Sequence, residues 1–323
     1  METLLISKDA QLSTDGGTLF VRTENGKRRL PIKGLGQIII AGEAGLTTSL
    51  LCLLGRNSIR VTMLDWYGNV TGSFEPSKNP RSGRIRQLQA LASNDETHRI
   101  DLAHRFVEGA AKNMLANLRY RKYRGVSMLD NVISEINSQV SEISTSVTIE
   151  SLMGHEGLIR AWYFDAWRKI DNRLDFGVRV RRPPNNEINC LLSWYNGLIY
   201  ALCRNEIAKT HLDDCISFLH SAREARSSLA LDLAEVFKPA ICDSLIIELV
   251  LRGTNWCSWF HINDKVCRLS ETGKRKTMEI WAEKLDSPIG GANSLRELVL
   301  KEALAVERHI LGVNKYQPWK RKV

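Results

Sequence analysis

Sequence features of membrane-spanning and secreted proteins are missing from this chain of 323 residues. No uninterrupted apolar run approaches the ~20 residues that a transmembrane helix needs. The N-terminal segment also lacks the basic stretch followed by an apolar stretch that is typical of a signal peptide. Because 43% of the residues are hydrophobic and 25% are charged, a chain that is disordered throughout is excluded as well. We therefore expect a globular cytoplasmic protein without a membrane partner.

Cysteine motifs are missing too. The seven cysteines are odd in number and form no CxxC pair, so the sequence indicates neither a disulfide framework nor a four-thiolate metal site. Cys257, His261 and Cys267 would offer a zinc ion three ligands at an unusual spacing. Reduced structural thiols are the better interpretation, because several of the cysteines lie in apolar stretches.

The phosphate-binding motifs of nucleotide enzymes are also absent. The chain has no GxxxxGK(S/T) loop and no GxGxxG after a predicted strand. It has no GxSxG elbow, and nothing indicates a Ser/His/Asp triad, although such a triad is defined by geometry rather than by spacing.

The chain has a surplus of positive charge. Its formal net charge of +9 favours polyanionic partners such as nucleic acid.

The pattern of the chain changes near residue 80. Before it, short β-rich runs alternate with turns, and Asn25-Gly26 predicts a hairpin. Beyond it, apolar residues recur at helical spacing, and a second hairpin is predicted within residues 258–269. We expect an α+β fold with a small β-rich N-terminal domain and a large, mostly α-helical C-terminal domain. The expected bounds are 1–76 for the first domain, 77–84 for a linker and 85–323 for the second domain.

Three acidic residues are candidates for chemistry. Asp232 and Glu235 are three residues apart in a predicted helix and therefore share one face. When both are ionised they repel each other, unless a cation or a proton lies between them. A solvated polar face near the start of a helix is the alternative explanation of this spacing. Glu156 precedes an aromatic, apolar helix, and it either caps that helix or is held inside it for a purpose.

Cations gather into several strips along the chain. Arg179, Arg181 and Arg182 precede two prolines, which predicts an extended basic segment suited to phosphate contacts, with a solubilising loop as the alternative. Tyr120 and Tyr123 are interleaved with a second strip, an arrangement compatible with stacking on bases. The other basic clusters are Arg81, Arg84 and Arg86; Arg119, Arg121, Lys122 and Arg124; and Lys274, Arg275 and Lys276.

Several stretches match one known family when they are taken in combination. They are Gly42–Thr48, Val61–Asp65, His155–Phe164, Arg182–Ser193, Leu219-His220, Ser228–Pro239, Trp259-Phe260, Gly273–Lys276 and Tyr316–Pro318. With these stretches the chain resembles the CRISPR-associated spacer-acquisition integrase, the universal metal-dependent subunit of the adaptation complex. The resemblance extends over essentially the whole chain. The combination is highly specific, whereas each stretch alone is a weak signal.

The resemblance implies a metal-dependent DNA integrase and endonuclease that inserts short foreign DNA into the repeat array. In this chemistry the 3′-hydroxyl of a captured DNA attacks a phosphodiester of the repeat. Matched by motif, the ligands of one Mn²⁺ or Mg²⁺ ion would be Glu156, His220 and Glu235, with Asp232 as an accessory candidate. These three ligands are also the expected catalytic residues, and His220 is expected to act as a ligand rather than as a general base.

The resemblance also implies partners. They are double-stranded and branched DNA, a second copy of the chain bound through residues 1–76, and the small CRISPR-associated partner protein of the adaptation complex. Three other functions stay open: a catalytically silent DNA-binding subunit, a transposon-borne relative of the integrase, and an interaction scaffold that binds neither DNA nor metal. The expected DNA contacts are Arg84, Arg179, Arg181, Arg182, Arg223, Arg226, Lys274 and Arg275.

Overall fold

The structure is a computed structural model, and it describes residues 2–221, 227–253, 255–288 and 293–322. Contacts along the chain divide it into two compact units. The first unit consists of Met1–Asn79, Val178–Ala201 and Asn255–Glu283, and the second consists of Pro80–Gly177, Leu202–Thr254 and Lys284–Val323. Within the described ranges, every helix is too short or too polar to cross a membrane.

The first unit contains two four-stranded sheets and a separate hairpin. In the first sheet three strands are parallel and the last is antiparallel, and its strand order is β1 (Glu2–Ile6), β5 (Leu35–Ile40), β7 (Arg60–Leu64), β8 (Val70–Phe74). The order in the second sheet is β4 (Gly26–Pro31), β3 (Thr18–Thr23), β2 (Ala10–Asp15), β6 (Ala44–Leu46), with β6 parallel to β2. The hairpin pairs β9 (Phe260–Asn263) with β10 (Val266–Leu269).

The sequence explains most of these strands. In β3, Leu19 and Val21 alternate with more exposed residues, as expected for a strand with one buried face. The Asn25-Gly26 prediction is confirmed, because β3 and β4 are antiparallel and Thr23 pairs with Gly26. The second predicted hairpin is confirmed by β9 and β10. The parallel pairing of β5 with β7 was not predicted, and the chain between them includes helix α1 (Thr48–Arg56).

Helices dominate the second unit, and their capping residues explain where several of them begin. Ser82, Asp95 and Thr148 each accept a backbone hydrogen bond from the first turn of the helix that follows. The longest helix, α3, packs against α4, α5 and α7. The helices within this unit are α2 (Gly83–Asn94), α3 (Glu96–Tyr123), α4 (Asp130–Ile143), α5 (Ile149–Ile170), α7 (Ser228–Phe237), α8 (Ser244–Leu251) and α10 (Leu295–Ile310).

Two further helices, α6 (Glu187–Ile207) and α9 (Glu271–Asp286), have residues in both units. The β-rich N-terminal part followed by a mostly helical chain confirms the predicted α+β class.

Every residue of helix α7 is buried except the half-buried Leu231, and the helix continues into a π-helical turn, Pro239–Asp243, before α8 begins. Pro239 has no N–H to donate to a carbonyl one turn earlier, so the regular helical pattern stops there. The N–H of Asp243 instead donates to the carbonyl of Lys238 at 3.0 Å. This wider turn begins four residues after Glu235, and Asp243 is its last residue.

Candidate metal and DNA site

Two acidic residues on different helices meet at one arginine. Glu156 and Arg160 are one turn apart on α5, and the Arg160 Nε donates to Glu156 Oε1 at 2.7 Å. The same guanidinium forms an ion pair with Glu235 on α7. The side chain of Glu156 is 20% exposed and that of Glu235 is 8% exposed, so the cluster lies at the edge of the interior. Glu156 does not cap its helix, because α5 begins seven residues earlier, after the N-cap Thr148.

Glu235 has a second cationic partner. The Lys238 Nζ donates to Glu235 Oε1 at 2.5 Å, and both side chains are buried. Burial raises the pKa of Glu235, but the charges of Arg160, Lys238 and His220 outweigh burial and hold that pKa well below its ordinary value. Glu235 is therefore ionised at neutral pH. The alternative of a solvated polar face on α7 is wrong, because Asp232 and Glu235 are both buried.

A third buried acid, Asp243, lies at the end of the π-helical turn. Burial raises the pKa of Asp243 to about 7, although the positive charges of Arg160 and Lys238 favour its ionised form. Burial also raises the pKa of the neighbouring Tyr163 hydroxyl, and the charge of Asp243 raises it further. Both groups therefore keep their protons to higher pH than they would in water.

Asp232 holds His220 in one orientation. Its Oδ2 accepts the backbone N–H groups of Phe218 and Leu219, at 2.8 and 3.0 Å. Its Oδ1 accepts the backbone N–H of His220 at 3.0 Å and lies 2.7 Å from the ring Nδ1. Because the carboxylate is an acceptor in all of these contacts, the ring donates through Nδ1 and its Nε2 is left as the ligand atom. Asp232 thus positions His220, and its oxygens are already engaged.

The electrostatics of His220 agree with this arrangement. Burial lowers the pKa of the imidazole, but the hydrogen bond and charge of Asp232 and the charge of Glu235 raise it above its ordinary value. The charge of His220 in turn helps to lower the pKa of Glu235.

Two asparagines of α3 fix the backbone around Glu235. The Asn113 Nδ2 donates to the carbonyl of Val236 at 2.8 Å, and the Asn117 Nδ2 donates to that of Pro239 at 2.6 Å. The same amides bind the C-terminal tail, residues 314–322. Arg321 donates to Asn113 Oδ1 through its backbone N–H at 2.8 Å, and to Asn117 Oδ1 through its guanidinium at 3.2 Å. We call Asn113 and Asn117 the asparagine pair.

The donor set at this site suits a hard divalent cation. Two carboxylates and one imidazole nitrogen are oxygen and nitrogen ligands of the kind that Mn²⁺ and Mg²⁺ accept, and none is a thiolate. Glu156 and Glu235 already gather around a positive charge, the Arg160 guanidinium. The residues therefore fit a divalent metal ion.

Another group of acids has closer ligand atoms. In the part of the chain that the structure describes, Asp213, Asp214 and Cys215 form the group of three whose ligand atoms lie within 4.8 Å of one another. Their acids have other partners, since Asp213 accepts the backbone N–H of Cys215 and Asp214 forms an ion pair with Arg204. The ligand atoms of Glu156, His220 and Glu235 are spread more widely, with Arg160 between the carboxylates.

The residues expected to contact DNA have different environments. Arg84, Arg181, Arg182 and Arg275 are exposed, and Arg182 also donates to Asn69 Oδ1 at 3.1 Å.

Two other cations on that list are held by the protein. Arg179 is half-buried, and its guanidinium donates to the carbonyl of Val180 at 2.7 Å and to Ser193 Oγ at 3.1 Å. Lys274 is 1% exposed, and its Nζ donates to the carbonyl of Ala41 at 3.0 Å, so it is not an exposed surface cation. Arg223 and Arg226 lie outside the described residues.

Sequence reasoning missed three charged members of the site: Arg160, Lys238 and Asp243. Two of them had a usable signal. Arg160 is four residues after Glu156, and Lys238 is three residues after Glu235, spacings at which opposite charges meet on a helix. Asp243 had none, because only the π-helical turn brings it toward the other charges.

Comparison with known proteins identifies the family. A model described as CRISPR associated protein Cas1 matches residues 4–283. A CRISPR-associated endonuclease Cas1 from Thermodesulfovibrio yellowstonii is 33% identical over an alignment of 329 residues, which covers 98% of each chain. The solved structure of a Cas1 protein from Thermotoga maritima has a TM-score of 0.88 and 28% identity, and the match covers 99% of this chain and 100% of that one.

Two more distant solved structures share the fold. A casposase bound to integration product has a TM-score of 0.84 at 23% identity, covering 98% of this chain and 93% of that one. A Cas6-RT-Cas1–Cas2 complex also has a TM-score of 0.84, at 19% identity, covering 100% of this chain and 36% of that one. At these identities the likeness is one of fold alone.

The fold, together with these relatives, defines an endonuclease and integrase of CRISPR adaptation. The chain belongs to the Cas1 family. The transposon-borne alternative has weaker support, because the casposase likeness is limited to the fold.

Proposed function

We propose that Glu156, His220 and Glu235 hold one divalent metal ion, Mn²⁺ or Mg²⁺, and that the second unit carries out strand transfer at this ion. The observation that carries the proposal is the meeting of Glu156 and Glu235, from two separate helices, at one cationic point. When bound, the ion would polarise a phosphodiester and stabilise the charge that develops on the leaving oxygen.

The residues around these ligands prepare the site. Glu235 is ionised at neutral pH because its cationic partners depress its pKa, so it needs no deprotonation before it binds a cation. Asp232 holds the Nδ1 side of His220, so Nε2 is the nitrogen that would bind the ion. Arg160, whose side chain is 23% exposed, can turn from the carboxylates to a phosphate oxygen, which its planar guanidinium binds well.

The proposed reaction is a transesterification. The 3′-hydroxyl of a short captured DNA forms a new P–O bond to a phosphodiester of the CRISPR repeat. The bond from that phosphorus to the leaving 3′-oxygen breaks, and the proton lost by the attacking hydroxyl is balanced by one that the leaving oxygen takes up. Hydrolysis is the same displacement with water in place of the 3′-hydroxyl, which accounts for endonuclease and integrase activity at one site.

The test is strand transfer of a labelled 3′-hydroxyl oligonucleotide into supercoiled repeat DNA with Mn²⁺. E156Q, H220A and E235Q are each expected to reduce the product at least about 100-fold, because each removes one ligand of the charge-stabilising centre. E150Q is the matched control, since Glu150 is an exposed acid in the first turn of the same helix. An oligonucleotide that ends in a 3′-dideoxynucleotide should give no product.

Three results would contradict the proposal. Full activity of E156Q would remove Glu156 from the site. Absence of product from the unaltered protein, with DNA binding intact, would favour the catalytically silent DNA-binding subunit. Absence of salt-dependent DNA binding would favour an interaction scaffold, because binding to the phosphate backbone weakens as the salt concentration rises.

We further propose that the protein acts as a homodimer formed through residues 1–76, and that it binds double-stranded and branched DNA together with a small partner protein of the adaptation complex. Support comes from the family, and from the solved complex of similar fold that contains Cas1 with Cas2. Sedimentation of the purified protein, alone and with that partner, measures both associations.

A further inference from the structure

The C-terminal tail is docked onto helices of the second unit along its length. The Tyr316 hydroxyl and the backbone N–H of Trp319 both donate to Glu302 of α10, at 2.6 and 2.9 Å. The Trp319 ring stacks on Phe237, with ring centroids 5.4 Å apart and ring planes 12° apart. Because Phe237 is two residues after Glu235 on α7, the tail touches the helix that carries one of the proposed metal ligands.

Asn113 of the asparagine pair joins this tail to α7. Its Nδ2 donates to the carbonyl of Trp319 in the tail at 3.1 Å and to that of Val236 in α7 at 2.8 Å. An amide nitrogen has two hydrogens, so both are used here. The Asn113 Oδ1 accepts the backbone N–H of Arg321 at 2.8 Å. One buried side chain therefore binds the tail twice and the residue after Glu235 once.

Asn117 extends the connection to the helix that carries Glu156. Its Nδ2 donates to the carbonyl of Pro239 at 2.6 Å and to the hydroxyl of Tyr163 at 3.0 Å. Tyr163 is on α5, two turns after Glu156 and on the same side of the helix. The Asn117 Oδ1 accepts from the Arg321 guanidinium at 3.2 Å. Asn117 thus contacts α5, the π-helical turn after α7 and the tail with one planar group.

The tail fixes which way these two amides face. A side-chain amide carries its acceptor on one side and its donors on the other. Arg321 presents a donor to each Oδ1, so each Nδ2 faces a backbone carbonyl beside Glu235. Both asparagines are buried, and an oxygen that loses its donor there stays desolvated without a partner. Loss of the tail contacts would therefore loosen the amides and the backbone that they hold.

We propose that Arg321 and Trp319 are positioning residues for the metal site, and that they act on Glu235 and Glu156 through the asparagine pair and Phe237. The inference rests on the proposed function, because it takes Glu156 and Glu235 as ligands of the ion. It goes further in making the affinity for the metal depend on the C-terminal tail.

The charge of Arg321 gives the test a decisive sign. A guanidinium repels a divalent cation, so electrostatics alone predicts that R321A binds Mn²⁺ as tightly as the unaltered protein or more tightly. Loss of the hydrogen bond to Asn117 predicts the opposite. We expect Mn²⁺ affinity to fall about 10-fold in R321A, the lower end of what loss of a contact that orients a ligand costs.

The experiment is isothermal titration calorimetry of the full chain with Mn²⁺ in the absence of DNA, so that lost contacts with DNA do not enter. K322A is the matched control, because it removes the neighbouring exposed cation of the tail, and it should bind Mn²⁺ normally or more tightly. In an N117A background, R321A should change the affinity less than about twofold, since the contact is already gone.

Trp319 is tested by the same titration. W319A should weaken Mn²⁺ binding at least about threefold, because it removes the ring that packs on Phe237. W319F keeps a ring at this position and should restore the affinity to within about twofold of the unaltered protein. Circular dichroism at the titration temperature shows that each variant is folded. If N117A does not fold, the comparison of R321A with K322A decides.

Three results would overturn the inference. They are Mn²⁺ affinity in R321A that equals or exceeds that of the unaltered protein, an equal loss in K322A, and an undiminished effect of R321A in the N117A background. E156Q separates the inference from the proposed function. If E156Q loses Mn²⁺ binding while R321A and W319A keep it, the metal site stands and only the inference fails. If E156Q binds Mn²⁺ as tightly as the unaltered protein, the proposed metal site itself fails.

Discussion

At the scale of single residues, the site is a balance of buried and partly buried charges. Glu156 and Glu235 bring two negative charges, and Arg160 and Lys238 bring two positive charges. A buried carboxylate without such partners would be expensive. The depressed pKa of Glu235 follows from this balance. A metal ion that enters therefore competes with cations of the protein for the same oxygens.

Asp232 gives the first residue-scale prediction. D232N replaces an oxygen that accepts hydrogen bonds with an amide group that donates them, facing backbone N–H groups. We expect Mn²⁺ binding to weaken about 10- to 100-fold, since His220 would lose its fixed orientation. Isothermal titration calorimetry with Mn²⁺ measures this loss. D171N is the control, because Asp171 pairs with Arg173 at the end of α5. Unchanged Mn²⁺ affinity in D232N would show that Asp232 does not position His220.

The candidate ligands could be predicted from the sequence, whereas their surroundings could not. Glu156, His220 and Glu235 stand in matching motifs, so resemblance was enough to single them out. Asp232 looked like a fourth ligand because spacing places it on one face with Glu235. Only the fold of residues 218–220 around its carboxylate shows that its oxygens are taken up by backbone N–H groups and the His220 ring.

At the scale of elements, a close contact between a turn and a helix defines part of the first unit. Gly68 has a φ of +85° and lies in the turn that follows β7. Asp65 stiffens this turn by accepting the backbone N–H groups of Tyr67 and Asn69, both at 2.8 Å. A Cβ on Gly197 of α6 would lie 1.7 Å from the Gly68 carbonyl oxygen. The helix can approach the turn so closely only because residue 197 is glycine.

The element-scale prediction tests this contact. G197A should destabilise the protein by about 3 kcal/mol, because neither the stiff turn nor the helix backbone can move away cheaply. The urea midpoint measures the change. G154A is the matched control, since Gly154 is also helical and an added Cβ there meets nothing within 4 Å. G154A should raise the stability by up to about 1 kcal/mol. Equal destabilisation of both variants would mean that the contact with Gly68 is not the cause.

Elements that local patterns define were predicted well, and pairings between distant segments were not. The turn at Asn25-Gly26 fixes a hairpin within a few residues, so its prediction was confirmed. The parallel neighbours β1, β5 and β7 come from segments separated by up to about 50 residues along the chain, and no local signal carries their order. The requirement for glycine at position 197 could not be predicted either, because it depends on the contact between α6 and the turn at Gly68.

At the scale of the whole molecule, stability should depend on pH through a buried acid of α10. Glu302 accepts the Tyr316 hydroxyl at 2.6 Å and the Trp319 N–H at 2.9 Å. Burial raises the pKa of Glu302 to about 7, although these hydrogen bonds favour its ionised form. Between pH 4.5 and pH 7, the Glu302 carboxyl group therefore stays protonated in the folded protein, whereas it is ionised in the unfolded chain. Protonated Glu302 therefore makes its full contribution to the free energy of unfolding below pH 4.5, and this contribution is lost as the pH rises to about 7.

E302Q removes this titration while keeping an oxygen that can accept the same hydrogen bonds. The free energy of unfolding of E302Q minus that of the unaltered protein should be larger at pH 7.5 than at pH 5. We expect an increase of up to about 3 kcal/mol, the value of a pKa shift of this size. Urea unfolding at the two pH values measures the difference. If the two proteins show parallel pH dependence, Glu302 does not titrate in this range.

The asparagine pair has a practical consequence for anyone who fuses this protein to another. Asn113 and Asn117 hold the backbone next to Glu235 with their amide nitrogens and the tail with their amide oxygens. Trp319 of that tail stacks on Phe237, with ring centroids 5.4 Å apart. A label, linker or carrier protein joined after the tail would pull on the amides that set the geometry of α7. Attachment sites for fluorophores or fusion partners are therefore better chosen on exposed loops that share no hydrogen bond with α3.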